Sequence, residues 1–383
     1  MTPRARPNIP RRRRPAVWGA LALAVVAALV ACTSGVAKRS AAATHPHPPS
    51  NTSHSATPAA RSTPVASPTR PAGEFTIAFA GDVHFADRVG TRLASNPATV
   101  FAQAATGLAK ADLTMVNLET AITTGGDQQA KSFTFRAPPT AFTALKDAGI
   151  DVATMANNHG ADYGAAGLAD TLAAIRQTRF PVVGIGRNAA AAYAPFTTTV
   201  NGTKIAILAA TQVHDETLAN FSAGPTSAGV ANAFSEQLLA GVRAAKAAGR
   251  LVVVYLHWGT EYDTCPNPEQ RTLADQLAAA GASAVIGTHA HVLQGAGWRA
   301  DGTYVAYGLG NYLWWMSFGN NQDDNGVLTL TFRHGKVVAN TFAPSHLDAR
   351  GVPLPAAGAE AVRISAEWDA DRACTGLAAA PSG

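Results

Sequence analysis

Five short polar clusters carry the side chains that hold metal ions, and each follows an apolar run. They are Asp82 with His84, Glu119, Asn158 with His159, His257, and His289 with His291. Carboxylate oxygen and imidazole nitrogen bind divalent transition metals such as Mn, Zn, Fe or Ni, and the donor set alone does not choose among them. Two such ions held about 3.5–4 Å apart acidify a bridging water and stabilise an in-line displacement. The chemistry on offer is therefore metal-assisted hydrolysis or transfer. Each cluster also has a plainer reading: Glu119 as a turn cap, Asn158-His159 as a hydrogen-bonded loop, His257 as a half-buried neighbour of Trp258. Their recurrence at strand ends makes them one candidate site, because ligands of open α/β sheets bind outside the C-terminal ends of the strands.

The elements that must position them follow from apolar periodicity. Residues 75–79 read as a buried strand, and Gly81 permits a sharp exit. Asp82 and His84, two apart, share a side in extended chain. Residues 111–120 form a strand ending at Glu119, and residues 151–156 run into Asn157-Asn158-His159. The apolar run 251–256 stops at His257, and 283–286 leads into Gly287-Thr288-His289-Ala290-His291. Helices are expected over 97–110, 138–149, 164–177 and 234–248, and from Pro268 to about residue 280 behind an Asn267 cap. Residues 181–185 form a short strand. Asn201-Gly202 marks one hairpin, and His334-Gly335 a second. Past Ser345 the chain is rich in Ala, Pro and Gly, and no regular structure is assigned. Alternating strands and helices with added hairpins predict an α/β layered fold with a mixed sheet or sheet sandwich. The strand ends are expected to converge on one crevice from one layer.

In this order the clusters resemble the calcineurin-like metallophosphoesterases, and more fully the CapA family associated with poly-γ-glutamate capsule synthesis. The matching segments are Gly81-Asp82, Asn117-Leu118-Glu119, Ala156-Asn157-Asn158-His159 with Asp162 and Gly164, His257-Trp258-Gly259 with Glu261-Tyr262, Gly287 through Gln294, and Tyr307-Gly308-Leu309-Gly310-Asn311. The similarity spans about residues 75–345. It implies a four-layer α/β/β/α metallophosphatase-like sandwich and two divalent metals. One would be held by Asp82, His84 and His291, the other by Asn158, His257 and His289, with Glu119 bridging. His159 would serve as general acid, Asp162 and Glu261 would support the ligands, and Asn311 and Trp258 would line the pocket. Two departures stand out. Phosphoesterases bridge their metals with an Asp in a Gly-Asp-x-x-Asp segment, whereas Glu119 is one methylene longer. His84, by contrast, makes the site more phosphoesterase-like. The family implies a metal-dependent hydrolase in capsule or envelope-polymer synthesis, or a non-catalytic accessory that binds poly-γ-glutamate beside a membrane synthase.

The 383 residues, 47% hydrophobic and 14% charged, can bury a large core. The net charge of +5 is unevenly spread: residues 1–73 hold ten Arg or Lys and no acid, so 74–383 carry +5 − 10 = −5. A mildly acidic domain excludes a nucleic-acid footprint. Arg4, Arg6 and Arg11 to Arg14 precede an apolar stretch ending Leu29-Val30-Ala31-Cys32, which resembles a bacterial lipobox. Residues 1–32 thus read as a lipoprotein signal with Cys32 lipidated, or as an uncleaved membrane anchor. Both place the remainder outside the cytoplasm, on the membrane's extracytoplasmic face. Residues 33–73 read as a disordered Ala/Ser/Thr/Pro tether. Residues 74–350 form the domain and 351–383 a tail. Cys265 and Cys374 either pair or stay free, since spacing does not decide.

Overall fold

The computed structural model describes residues 71–382. The signal or anchor with Cys32, and the tether up to residue 70, lie outside the described residues. Two sheets dominate the rest. In the first, the strands run in the order Pro353–Pro355, Lys336–Leu347, Asp324–Arg333, Phe75–Val83, Leu113–Leu118, Val152–Thr154 and Val182–Val183, with Asn311–Leu313 pairing alongside the end of Phe75–Val83. The second runs Leu293–Trp298, Tyr304–Leu309, Ala284–Thr288, Leu251–His257, Thr203–Thr211 and Phe196–Val200. Both are mixed, parallel in the middle with antiparallel strands added by hairpins.

Alternate residues of the central strands feed different cores. Ile77 and Phe79 pack between the sheets with Val253 and Tyr255, while Ala78 and Ala80 face a layer of helices. Val252, Val254 and Leu256 face another helix layer, through Leu238, Val242, Leu273 and Leu277 of Glu236–Ala247 and Pro268–Ala280. The result is the four-layer α/β/β/α sandwich. It explains why these strands read as continuous apolar runs: both faces are buried. The Asn267 cap is present as a full capping box with Gln270.

Three expectations about the elements are corrected. No single helix covers 97–110: Asp87–Ser95 is helical, and short turns at Pro97–Thr99, Ala102–Ala104 and Ala105–Leu108 follow. Asn96, extended at φ −159°, stops the first helix and caps the next turn by accepting from the Ala98 amide. Residues 181–185 split at Gly184, whose φ is +83°, so that Val182–Val183 joins the first sheet and Ile185–Gly186 pairs with Gly229–Val230. The stretch past Ser345 is ordered. Lys336–Leu347 continues as a strand, Pro353–Pro355 extends the sheet, and the helix Gly358–Asp371 seats Ile364 and Trp368 in the core between the sheets. Those two apolar residues four apart lie on one helical face, a signal that the Ala-rich surroundings masked.

Candidate metal centre

The ligand-type residues arrive from both sheets, so the single-layer expectation is also corrected. Asp82, Glu119, Asn158 and His159 end strands of the first sheet, and His257, His289 and His291 end strands of the second. Stacking the sheets face to face brings these ends together. The aim of Asp82 depends on a local irregularity. Pairing with Leu113–Leu118 shifts register between Phe79 and Asp82, and a one-residue shift moves a side chain to the opposite face. Asp82 therefore points toward the second sheet, although it shares parity with Ala78 and Ala80. Gly81 allows the approach this needs, since a Cβ there would lie 1.9 Å from the Gly310 carbonyl oxygen.

Two sets of ligand atoms lie within 4.8 Å of one another: Asp82, Glu119 and His257, and Glu119, His289 and His291. Glu119 belongs to both. It is fully buried, its Oε1 is 3.5 Å from His257 Nε2 and 3.7 Å from His159 Nε2, and neither carboxylate oxygen has a hydrogen-bond partner. Asp82 lies 3.9 Å from His257 Nδ1 and 3.7 Å from His291 Nδ1. His289 Nδ1 is likewise buried and unpaired. Buried polar groups are paired almost without exception, so orphaned oxygens and nitrogens facing one another fit a cation held between them. The donor set of carboxylates and imidazoles suits a divalent transition metal.

Asn117 holds the centre together. Its Nδ2 donates to Asp82 Oδ1 at 2.8 Å and lies 3.1 Å from His257 Nδ1, and its Oδ1 accepts from Asn157 at 2.9 Å. The His289 amide donates to Asp82 Oδ2 at 3.2 Å. His257 Nε2 is 2.7 Å from Asn158 Oδ1, and His291 Nδ1 is 2.8 Å from Asn311 Oδ1. Asn311 Nδ2 donates to two carbonyls, which leaves its oxygen for His291 and the His291 Nε2 free to bind. His289 and His291 adopt φ of 98° and 56°, a region costly for residues other than glycine. In the sequence Asn117 stands inside the Asn117-Leu118-Glu119 motif with nothing that assigns it this role. Its signal was a polar residue two before Glu119, on the same side of a buried strand.

Electrostatics follow burial. Burial pushes the Glu119 carboxyl well above its usual range, with Asp82 and Glu261 adding repulsion. Asp82 is raised for the same reason, partly offset by His291 and by hydrogen bonds from Asn117, Thr288 and His289. Burial also depresses His84, His257 and His289 well below an ordinary histidine, with neighbouring histidines contributing. Neutral imidazoles are the form that binds metal.

His159 is set differently. Its Nδ1 lies 2.6 Å from Asp162 Oδ2, which also accepts the Phe135 amide, so Nε2 turns toward Glu119. Burial lowers this imidazole, against the pull of Asp162. Lys131 pairs with Asp162 and Asp215, each at 2.9 Å, and donates to the Asn158 carbonyl, which Thr217 also holds. Against the pull of burial, the two carboxylates hold the Lys131 ammonium above its usual value. Nothing in the local sequence around Lys131 marks this role, because its partners are far along the chain.

His84 lies beside both ligand sets rather than in them. Its Nε2 accepts from the Trp315 amide at 3.1 Å, its Nδ1 is unpaired, and its ring packs 4.2 Å from both Phe135 and Trp314. A small cavity of about 80 Å³ opens over His159 and His291, walled by Phe133, Phe135, Tyr262, Trp314, Trp315 and Phe318. Glu261 sits at this mouth, exposed, but Trp258 does not line it: its ring is buried in the core between the second sheet and its helices and donates to the Tyr307 carbonyl at 2.8 Å. Cys265 and Cys374 form a disulfide, with Cα atoms 5.8 Å apart. No helix among the described residues is long and apolar enough to cross a membrane.

Residues 76–314 match the family described as bacterial capsule synthesis protein PGA_cap. The PGA biosynthesis protein CapA of Bacillus subtilis is 36% identical over 180 residues, 47% of this chain and 46% of that protein. The capsule biosynthesis protein CapA of Bacillus anthracis is 34% identical over 200 residues, 49% of this chain and 48% of that protein. The chain thus spans about half the length of the relatives it matches. Among solved structures, Haemophilus influenzae NAD nucleotidase aligns over 76% of this chain and 62% of that one, at 14% identity and a TM-score of 0.41.

Proposed function

We propose, for a chain that belongs to the bacterial capsule synthesis family PGA_cap, that it is a metal-dependent hydrolase of the phosphoesterase type. It would work on a capsule or envelope polymer, or on a phosphate ester of its precursors. The observation that carries this reading is Glu119, fully buried with both oxygens unpaired and shared by two sets of ligand atoms. Two ions are proposed, with Glu119 between them. Asp82, His257 and Asn158 would serve one, and His289 and His291 the other. His84 would join them only through Nε2, the nitrogen that accepts the Trp315 amide in the metal-free protein, since its ring proton is then on Nδ1. Bound metal would supply Lewis-acid polarisation of an ester oxygen and a water of lowered pKa. The protein's own groups supply the rest. Asp162 fixes His159 Nδ1–H, so Nε2 is the atom that exchanges a proton with the leaving oxygen. Lys131 keeps Asp162 and the Asn158 carbonyl in place.

The N-terminal basic and apolar segment supports tethering to the membrane through Cys32 or an uncleaved anchor, on the extracytoplasmic side. The name of the Bacillus subtilis relative supports poly-γ-glutamate as the polymer, and that of the Bacillus anthracis relative a capsule; a membrane synthase is the partner we propose beside them. The test is metal analysis of the purified full chain, followed by assays on a phosphodiester and on poly-γ-glutamate. Bound Mn, Zn, Fe or Ni together with turnover that a chelator abolishes is expected. Protein of full stability that takes up no metal and turns over neither compound would overturn the reading. Metal uptake with polymer binding but no turnover would assign the accessory role instead. Tethering is checked by palmitate labelling that Cys32→Ala removes.

A further inference from the structure

The mouth of the metal centre has an unusual composition for a site meant to take a polyanion. Of the four large hydrophobic side chains exposed among the described residues, two stand there: Phe133, 59% exposed, and Tyr262, 56% exposed. They come from separate loops, and Trp314, Trp315 and Phe318 close a third side. Tyr262 holds a left-handed φ of 69°, and its amide donates to the Ala290 carbonyl at 2.7 Å, between His289 and His291. The Tyr262 backbone is thereby tied to the ligand loop. No Lys or Arg lines the cavity, and its charged rim residue is Glu261. Lys131, whose charge acts on His159, is already paired with Asp162 and Asp215.

We propose that this mouth is a subsite for an uncharged sugar ring, so that the ester cleaved beside it is a sugar phosphate rather than a link in a bare polyanion. The inference rests on the hydrolase reading and names its substrate class. A sugar ring, larger than the cavity of about 80 Å³, would lie across its open mouth with an apolar face on the exposed rings, its hydroxyls donating to Glu261 and accepting from Gln322. An acyl chain would leave both polar groups unpaired, and a quaternary ammonium would leave the amide unused. A run of carboxylates would meet Glu261 on a rim that carries no Lys or Arg, with only the proposed ions behind it to offset the repulsion. In the reaction, the water oxygen bonds to phosphorus and the bond from phosphorus to the sugar oxygen breaks. A proton from the water ends on that oxygen, giving free sugar and inorganic phosphate.

The test uses the full chain loaded with Mn and compares kcat/KM for N-acetylglucosamine 1-phosphate, glycerol 2-phosphate and phosphocholine. The sugar phosphate should be preferred by about tenfold, and Tyr262→Ala should bring that ratio close to one while Tyr262→Trp retains it. An equal ratio in the wild type, a ratio unmoved by Tyr262→Ala, or a preference for phosphocholine overturns the subsite and leaves the hydrolase reading standing. If no phosphate is turned over, the hydrolase reading fails. Quenching of tryptophan fluorescence by N-acetylglucosamine then decides the subsite: quenching lost in Tyr262→Ala supports it, and no quenching overturns it.

Discussion

Replacing Glu119 by Gln separates a ligand from a structural carboxylate. In the metal-free protein this group is fully buried with two unpaired oxygens, and burial together with Asp82 and Glu261 raises its pKa. Leaving such a group unpaired costs about 1–3 kcal/mol. Gln has the same shape and is left equally unpaired but carries no charge, so metal-free Glu119→Gln should be the more stable protein at pH 8 by the extra cost of burying the ionised group, about 1–3 kcal/mol. For a domain of this size that is roughly 2 °C in Tm per kcal/mol. Metal reverses the order. At about 1,000 times its Kd, metal stabilises the wild type by about 4 kcal/mol. Loss of the shared carboxylate should weaken binding about a hundredfold, which cuts the stabilisation at the same metal concentration to about 1.4 kcal/mol. The assay is thermal unfolding of both proteins in chelator and in Mn or Zn, with metal content measured on the same samples. An identical metal-induced shift in both proteins, or a metal-free variant less stable than wild type, would refute the reasoning.

Asn117→Ala removes the donor to Asp82 and the acceptor of Asn157 at once. It should cost about 2–4 kcal/mol in denaturant titration and weaken metal binding about 10–100-fold by calorimetry. In the metal-free protein the buried imidazoles should destabilise the fold on acidification below pH 6.5. His84, His159, His257 and His289 have folded pKa values below 6.5, so from those values up to 6.5 the unfolded chain binds more protons and stability falls on acidification. Asp82 and Glu119 are raised above 3.8 and 4.5, so their contribution runs the other way and is lost as pH rises. Each proton bound in excess by one state is worth about 1.4 kcal/mol per pH unit. Urea unfolding at pH 5, 6.5 and 8 in chelator checks the sign. Cys374→Ser opens a cross-link spanning 109 positions and should lower stability by about 3–5 kcal/mol, read by unfolding with and without reductant.

Much of the fold was legible because it is local. Strands buried on both faces announce themselves as apolar runs, and Asn201-Gly202 names its hairpin, which joins Phe196–Val200 to Thr203–Thr211. Asn267 and Gln270 cap the helix they precede. The polar residues that stop those strands were legible too, since a buried run tolerates Asp82, Glu119 or His257 only where the strand leaves the core. The helix Gly358–Asp371 was not, because two apolar residues in an Ala-rich segment acquire meaning only from the core that receives them.

The residue types of the centre and their strand-end positions were thus determined by the sequence alone. Tertiary structure decided which of them meet. Two sheets had to stack before Asp82 could approach His257 and His291, and the register shift beside Gly81 had to turn Asp82 toward them. The same packing set His84 against Phe135 and Trp314 and drew Lys131 to Asp162 and Asp215. Each of these is a contact between distant segments, fixed by sheet stacking and register, and no spacing along the chain encodes it.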